Sequence, residues 1–198
     1  MEQQTGRRRG RPPRPGRREE ILDAAVKVLA ERGFEGLSLA QLAESLGFST
    51  YALTYHFGAK EEFLAAVVTH VEERLQAEFQ TLAAEPGLTP AELLRRYWAT
   101  TAEPGAGESM RLWLEVVLLA SREPDRFPGF LERAARSWTP VIVTALGDRP
   151  DVEQWAALAF ATMTGLELLQ LMEPGSDAPG KAFQTFAGLC ELLFPSGG

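Results

Sequence analysis

Side chains that could act as nucleophile or general base are scarce in this chain. It holds two histidines, His56 and His70, and a single cysteine, Cys190, which has no histidine near it in sequence. Serine and cysteine triads draw on a histidine beside the nucleophile. No phosphate-cradling glycine loop, dinucleotide fingerprint or metal-ligand spacing appears either. The expectation is no catalytic residue, no metal and no cofactor. A different chemistry is concentrated between positions 49 and 56, where Ser49, Thr50, Tyr51, Thr54, Tyr55 and His56 stand close together. Hydroxyl groups bond phosphate oxygens and base edges, and apolar ring surface meets thymine methyls.

The elements around these residues must present them outward. Leu53 and Phe57 are four apart and turn one helical face inward. Thr50, Tyr51, Thr54 and Tyr55 are left on the other side, with His56 near the helix end. Just before them, Leu39, Leu42, Ala43 and Leu46 recur at i, i+3, i+4 and i+7, the apolar face of another short helix. Ser38 is placed to cap that helix, Gly47 to end it in the left-handed region, and Ser49 to cap the next. Two short helices around a glycine-containing turn form a helix-turn-helix, whose second helix enters the DNA major groove. The same pattern also fits an ordinary helical hairpin with a polar surface.

Gly47-Phe48-Ser49, Tyr55-His56-Phe57 and the adjoining Gly58-Ala59-Lys60-Glu61-Glu62 resemble the signature of TetR-type transcriptional regulators. Glu31-Arg32-Gly33-Phe34 at the end of a helix over 17–32 fits the same pattern, as does Leu37-Ser38-Leu39 leading into Ala43-Glu44-Ser45-Leu46-Gly47. The resemblance covers about residues 17–64. It implies an all-α, dimeric, ligand-responsive DNA binder with a three-helix DNA-binding domain. Lys60 matches the family's phosphate-contacting lysine. Ala52-Leu53-Thr54 stands where the family commonly has Thr-Leu-Tyr, so the phosphate role of that tyrosine passes to Thr54, or to Tyr51 or Tyr55 in its place. Ser38 joins the expected DNA-contacting set.

Net charge is −7, which by itself argues against a nucleic-acid partner. Its distribution argues the other way. Residues 1–18 hold seven arginines and one acid, Glu2, so the rest of the chain is strongly acidic. A basic arm on an acidic body suits DNA, because the body is repelled by phosphates while the arm is drawn to them. Arg8-Arg9-Gly10-Arg11-Pro12 resembles the core of an AT-hook. Arg9 and Arg11 would enter a narrow A·T minor groove, where negative potential is enhanced. The alternative is a solubilising tail. Residues 1–16 have no apolar periodicity and are expected to be disordered alone. The expected division is a basic arm at 1–16, a helix-turn-helix domain at 17–62 and an effector-binding and dimerisation domain at 63–198. One cysteine, no secretory signal and no run of about 18 uncharged apolar residues point to the cytoplasm and to no membrane span.

Beyond residue 60 the periodicity is helical throughout. A long helix from Lys60 carries Leu64, Val67, Val68, Val71, Leu75, Phe79 and Leu82 and links the DNA-binding head to the C-terminal part of the chain. Further helices are expected from Thr89-Pro90 to about Glu103, over about 109–122, from Phe127 to Leu146 with Pro140 kinking or splitting it, from Pro150 to Met172, and from Asp177 to Phe194. The last two are apolar beyond one face, so two copies would form a shared four-helix bundle with Trp155, Leu158, Phe183 and Phe186 at or near the interface. In the same family the effector pocket lies between the helices of this part. Trp98, Met110, Trp113, Glu115, Phe127, Phe130, Trp138 and Met163 are its candidates, although each aromatic also serves as ordinary core. Trp113-Leu114-Glu115 further resembles regulators with a BetI-like C-terminal domain. Glu115 sits in the most apolar helix, so it pairs either with an arginine such as Arg111 or Arg95 or with a basic ligand. The expected function is a repressor released from a palindromic operator by a small molecule; the alternatives are a dimeric DNA-binding regulator without effector, and an enzyme using the same pocket.

Each phosphate neutralised contributes about −0.9 to the slope of log K against log salt. Deleting residues 1–16 is expected to flatten that slope and weaken DNA binding without unfolding the body. Binding titrations at several salt concentrations check this, and an unchanged slope leaves the arm a passive tail.

Overall fold

The computed structural model describes residues 16–34, 36–103 and 105–194; Arg9 and Arg11 lie outside them. Among the described residues all regular structure is helical. The order is α1 Arg17–Arg32, α2 Leu39–Ser45, α3 Thr50–Phe57, α4 Lys60–Ala83, α5 Pro90–Thr100, α6 Ala106–Arg122, a 3₁₀ turn Pro124–Arg126, α7 Phe130–Arg136, α8 Thr139–Leu146, α9 Val152–Met172 and α10 Ala178–Leu193. The helix expected over 127–146 is two. Gly129, at φ 71°, delays its start to Phe130, and Pro140 falls in the first turn of α8, where its missing N–H leaves no hydrogen bond unmade.

The head is built on local signals. Ser38 and Gln41 form a reciprocal capping box at the start of α2. At its end the Phe48 N–H donates to Ala43 O at 2.9 Å and the Gly47 N–H to Glu44 O at 3.0 Å, a Schellman closure that requires the positive φ of 73° at Gly47. Ser49 Oγ then accepts from the Ala52 N–H at 3.2 Å and starts α3. Leu42, Ala43, Leu46, Leu53 and Phe57 are buried against Ile21, Leu22, Ala25 and Leu29 of α1 and the first half of α4.

That core does not end with the head. Leu112, Val116 and Ala120 of α6, Phe127, and Phe130 and Ala134 of α7 belong to the same cluster. Arg126 in the 3₁₀ turn is paired with both Glu61, in the first turn of α4, and Glu123. Further along, Phe79 of α4, Tyr97 of α5 and Trp138 meet edge-to-face, with ring centroids 5.7–5.9 Å apart. Helices α9 and α10 pack on each other and on α5, α6 and α8. Among the described helices, α9 alone is long and apolar enough, by length and composition, to cross a membrane.

Phe183 is 1% exposed and lies parallel to Trp98, centroids 4.7 Å apart. It is core of the protomer, which corrects its expected place in the dimer interface. Phe183→Ala is therefore expected to destabilise the chain by about 3–5 kcal/mol. Denaturant unfolding measures this, and a loss below about 1 kcal/mol would return the side chain to the surface.

Candidate nucleic-acid interface and effector cavity

On α3, Leu53 and Phe57 point inward and Thr50, Tyr51, Thr54 and Tyr55 are exposed, as their spacing requires. Tyr51 is 76% and Tyr55 58% exposed, an unusual cost for two aromatic rings on one short helix without a partner. The rings stack with centroids 6.0 Å apart, and Tyr55 meets half-buried His56 edge-on at 5.1 Å. Thr54 donates its hydroxyl proton to Thr50 O at 3.0 Å, which leaves its oxygen as an acceptor. Lys60 opens α4 with its ammonium over the Phe34 ring, 5.8 Å from the centroid. Arg17 and Arg18 lie over Phe48 and Phe57. The result is one outward ridge of hydroxyls and rings beside cations, which has the chemistry for phosphates and base edges.

A second feature lies in the body. A cavity of about 620 Å³ is bounded by α4, α5, α6, α8, α9 and α10. Leu75, Phe79, Leu93, Tyr97, Met110, Trp113, Trp138, Ile142 and Met163 give it an apolar and aromatic wall. Two carboxylates interrupt that wall, Glu72 buried and Glu167 half-buried. Glu72 of α4 accepts from the Trp113 indole Nε1–H at 2.6 Å, and burial raises its pKa. Glu167 of α9 accepts from the Tyr97 hydroxyl at 3.2 Å. Burial pushes the Glu167 carboxyl up to about 7, against the smaller downward pull of that hydrogen bond. The same burial, with the Glu167 charge beside it, keeps the Tyr97 phenol firmly protonated. Cys190 also borders the cavity, and burial raises its thiol pKa. Among the described residues no cluster of three His, Cys, Asp or Glu side chains forms a metal site.

Residues 21–67 match the family of bacterial regulatory proteins of the tetR type. Over 172 residues the chain is 27% identical to the HTH-type transcriptional regulator BetI of Brucella abortus (strain 2308), covering 85% of each protein. The chain carries a TetR-type DNA-binding domain and is similar over most of its length to transcriptional regulators. Solved structures share its fold over about nine-tenths of the chain. A putative TetR-family transcriptional regulator from Rhodococcus sp. superposes with a TM-score of 0.71 at 23% identity, over 90% of this chain and 98% of that one. The multidrug binding protein EbrR complexed with ethidium superposes with a TM-score of 0.65 at 22% identity, over 87% and 98%.

In this chain the residues expected at the effector pocket divide. Met110, Trp113, Trp138 and Met163 line the cavity. Trp98 does not, because its ring is taken up by Phe183. Phe127 and Phe130 lie in the head-side core, 4% and 1% exposed. Glu115 is exposed on the other side of α6, with its carboxylate against Gly33 at the end of α1. Leu112, Val116 and Ala120 are the buried stripe of α6, and Glu115 falls outside it. Of the residues expected at the dimer interface, Trp155, Leu158 and Phe186 all border the cavity; Trp155 and Phe186 are half-buried and Leu158 is 50% exposed. Glu72 and Glu167 were missed. Both carried a signal, since Glu72 sits in phase with Val68, Leu75 and Phe79 and Glu167 interrupts the apolar run of α9.

The pKa of Glu167 gives a test with a definite sign. Its folded value, about 7, lies above the ordinary 4.5, so the folded state binds the proton more tightly. Stability must fall as pH rises from 4.5 to about 7 and stay reduced above that. Glu167→Gln removes the penalty. It is expected to stabilise the chain by roughly 2–3 kcal/mol near pH ~8 and by less than about 1 kcal/mol near pH ~5. Denaturant unfolding at the two pH values measures the difference, and equal effects would mean that the carboxylate is not desolvated.

Proposed function

We propose that this protein is a homodimeric repressor that leaves its operator when a small molecule occupies the cavity. The observation that carries the reading is α4. Its first turns pack on α1 and α3, and its later residues Leu75 and Phe79 wall the cavity. A ligand that favours one placement of α4 therefore favours one placement of the recognition helix, and DNA is held or released by population shift. In this reading residues 17–62 are the DNA-reading head and 63–198 the effector and dimerisation body. Likeness to EbrR with ethidium bound supports a cavity that admits drug-sized guests. The protein acts in the cytoplasm, on the chromosome.

The dimer is formed through α9 and α10. Their outward side exposes Leu169, Met172, Leu189, Leu192 and Leu193, at 41% to 79%, with Leu158 exposed at the cavity border. A contiguous apolar surface of this kind marks an interface, and a two-fold axis turns two such helix pairs into a four-helix bundle. Two recognition helices then meet half-sites about one helical turn apart on a palindromic operator. Sedimentation at micromolar concentration is expected to show a dimer; a monomer would contradict the assignment.

Within the head, Thr50, Tyr51, Thr54, Tyr55, His56 and Lys60 meet DNA, with Ser38 and Ser49 at the two helix starts. Tyr51→Ala and Tyr55→Ala are each expected to weaken operator binding about tenfold or more, the scale of one lost specific contact, and to leave thermal stability close to wild type. Both rings are mostly exposed, so the opposite pattern, intact binding with lowered stability, would overturn the face assignment. Fragments that the purified protein selects from a genomic library supply the operator for these measurements. Release of the selected fragment by a small molecule tests the effector half of the reading.

A further inference from the structure

The cavity wall has a charge character that selects among ligands. Five carboxylates border it, Glu72, Glu78, Glu103, Glu167 and Glu173, against one described basic side chain, Arg74. Arg74 is itself exposed and lies 3.7 Å from Asp23, which does not line the cavity. Glu72 is engaged by the Trp113 indole. Glu167 is different. It is held in the apolar wall by a neutral partner, the Tyr97 hydroxyl, and no described basic side chain is among its partners.

We infer that the effector is a lipophilic organic cation whose positive charge is neutralised by Glu167 inside the aromatic part of the cavity. The inference rests on the proposed effector role of the cavity and adds the ligand's charge and chemical class to it. An anion would enter a site ringed by carboxylates. A neutral guest would strip water from Glu167 and return nothing for it, since a buried carboxylate is costly without a charge partner. A cation supplies that partner. The rings of Phe79, Tyr97 and Trp138 add electron-rich faces, which attract cations that have no proton to donate. The volume of about 620 Å³ is that of a site for a drug-sized molecule.

The test uses the full chain and two ions of nearly the same shape and opposite charge, tetraphenylphosphonium and tetraphenylborate, with neutral Nile red as a third probe. Isothermal titration is expected to show phosphonium binding to wild type and none of the borate at the same concentrations. Glu167→Gln should weaken the phosphonium by about tenfold or more, the loss of one desolvated charge contact. Glu173→Gln, at the exposed rim, should change it by less than about twofold, because solvent screens that charge. Nile red uptake at the wild-type level by Glu167→Gln shows that the variant's cavity is intact. Borate bound as tightly as phosphonium, or phosphonium indifferent to Glu167→Gln, overturns the cation inference. Nile red bound with neither ion bound also overturns it and leaves the effector reading standing. Exclusion of all three probes overturns both.

Discussion

Everything in this molecule hangs on the burial of one short stretch of α4. Phe63, Leu64, Val67 and Val68 are 0–1% exposed where α1, α3 and α6 converge. Phe63 meets Phe57 of the recognition helix edge-on, centroids 5.1 Å apart. Burying a side chain of this size contributes about 1.5–3 kcal/mol as an upper estimate. Four of them therefore contribute about as much as the net stability of a typical domain, roughly 5–15 kcal/mol. The head cannot come away from α4 without losing most of that. A motion of α4 is thus a motion of α3, because the joint between them is a packed core.

The other half of α4 is built on the opposite principle. Around Leu75 and Phe79 the space is open, and edge-to-face contact among Phe79, Tyr97 and Trp138 holds the wall in place. The cavity and its carboxylates lower stability where the tight joint raises it. Asp23 bridges the two halves from outside, bonding His70 Nε2 at 2.9 Å and lying near Arg74. These exposed pairs contribute little energy, yet they tie the middle of α4 to α1. The helix is packed in a continuous core at its head end and borders the cavity at its other end, the arrangement that the proposed coupling between two sites needs.

How legible each part was in the sequence depends on how local its determinants are. The head could be read because its signals sit within a few residues of what they control. Ser38 and Gln41 cap each other, Gly47 closes α2, Ser49 opens α3, and a spacing of four puts Leu53 and Phe57 on one face. The body was legible as helices and not as a site. Helices α6, α9 and α10 are apolar on more than one side, so composition does not say which side meets the core, the cavity or the surface. Glu115 and Glu167 carry the same signal, an acid within an apolar helix, and tertiary packing sends one outward beside Gly33 and the other inward to Tyr97. Phe183 and Leu189 lie in one apolar stretch of α10, and the larger ring is the one that stacks inside. Only the packing of α5 against α10, brought together from distant parts of the chain, decides that.

The apolar character of α9 has a single explanation once both of its sides are considered. Met163 and Leu166 are buried inward and Glu167 reaches the cavity, while Leu168, Leu169 and Met172 remain outward and exposed. A helix of this kind in an isolated protomer would leave a large apolar surface in water. With the proposed partner in place, α9 becomes a wall buried on both sides, fixed by the bundle and free of charge except where the cavity uses it. Of the helices around the cavity, the proposed bundle then fixes α9, whereas α4 runs on into the head. Glu167 stands on α9, and Phe79 and Leu75 stand on α4, the helix that continues to the head. On the proposed reading, a guest held by Glu167 is anchored to the dimer and the displacement it forces falls on α4. The proposed coupling needs that division of labour, because a shift at the cavity then acts on the recognition helix instead of dissipating between the proposed subunits.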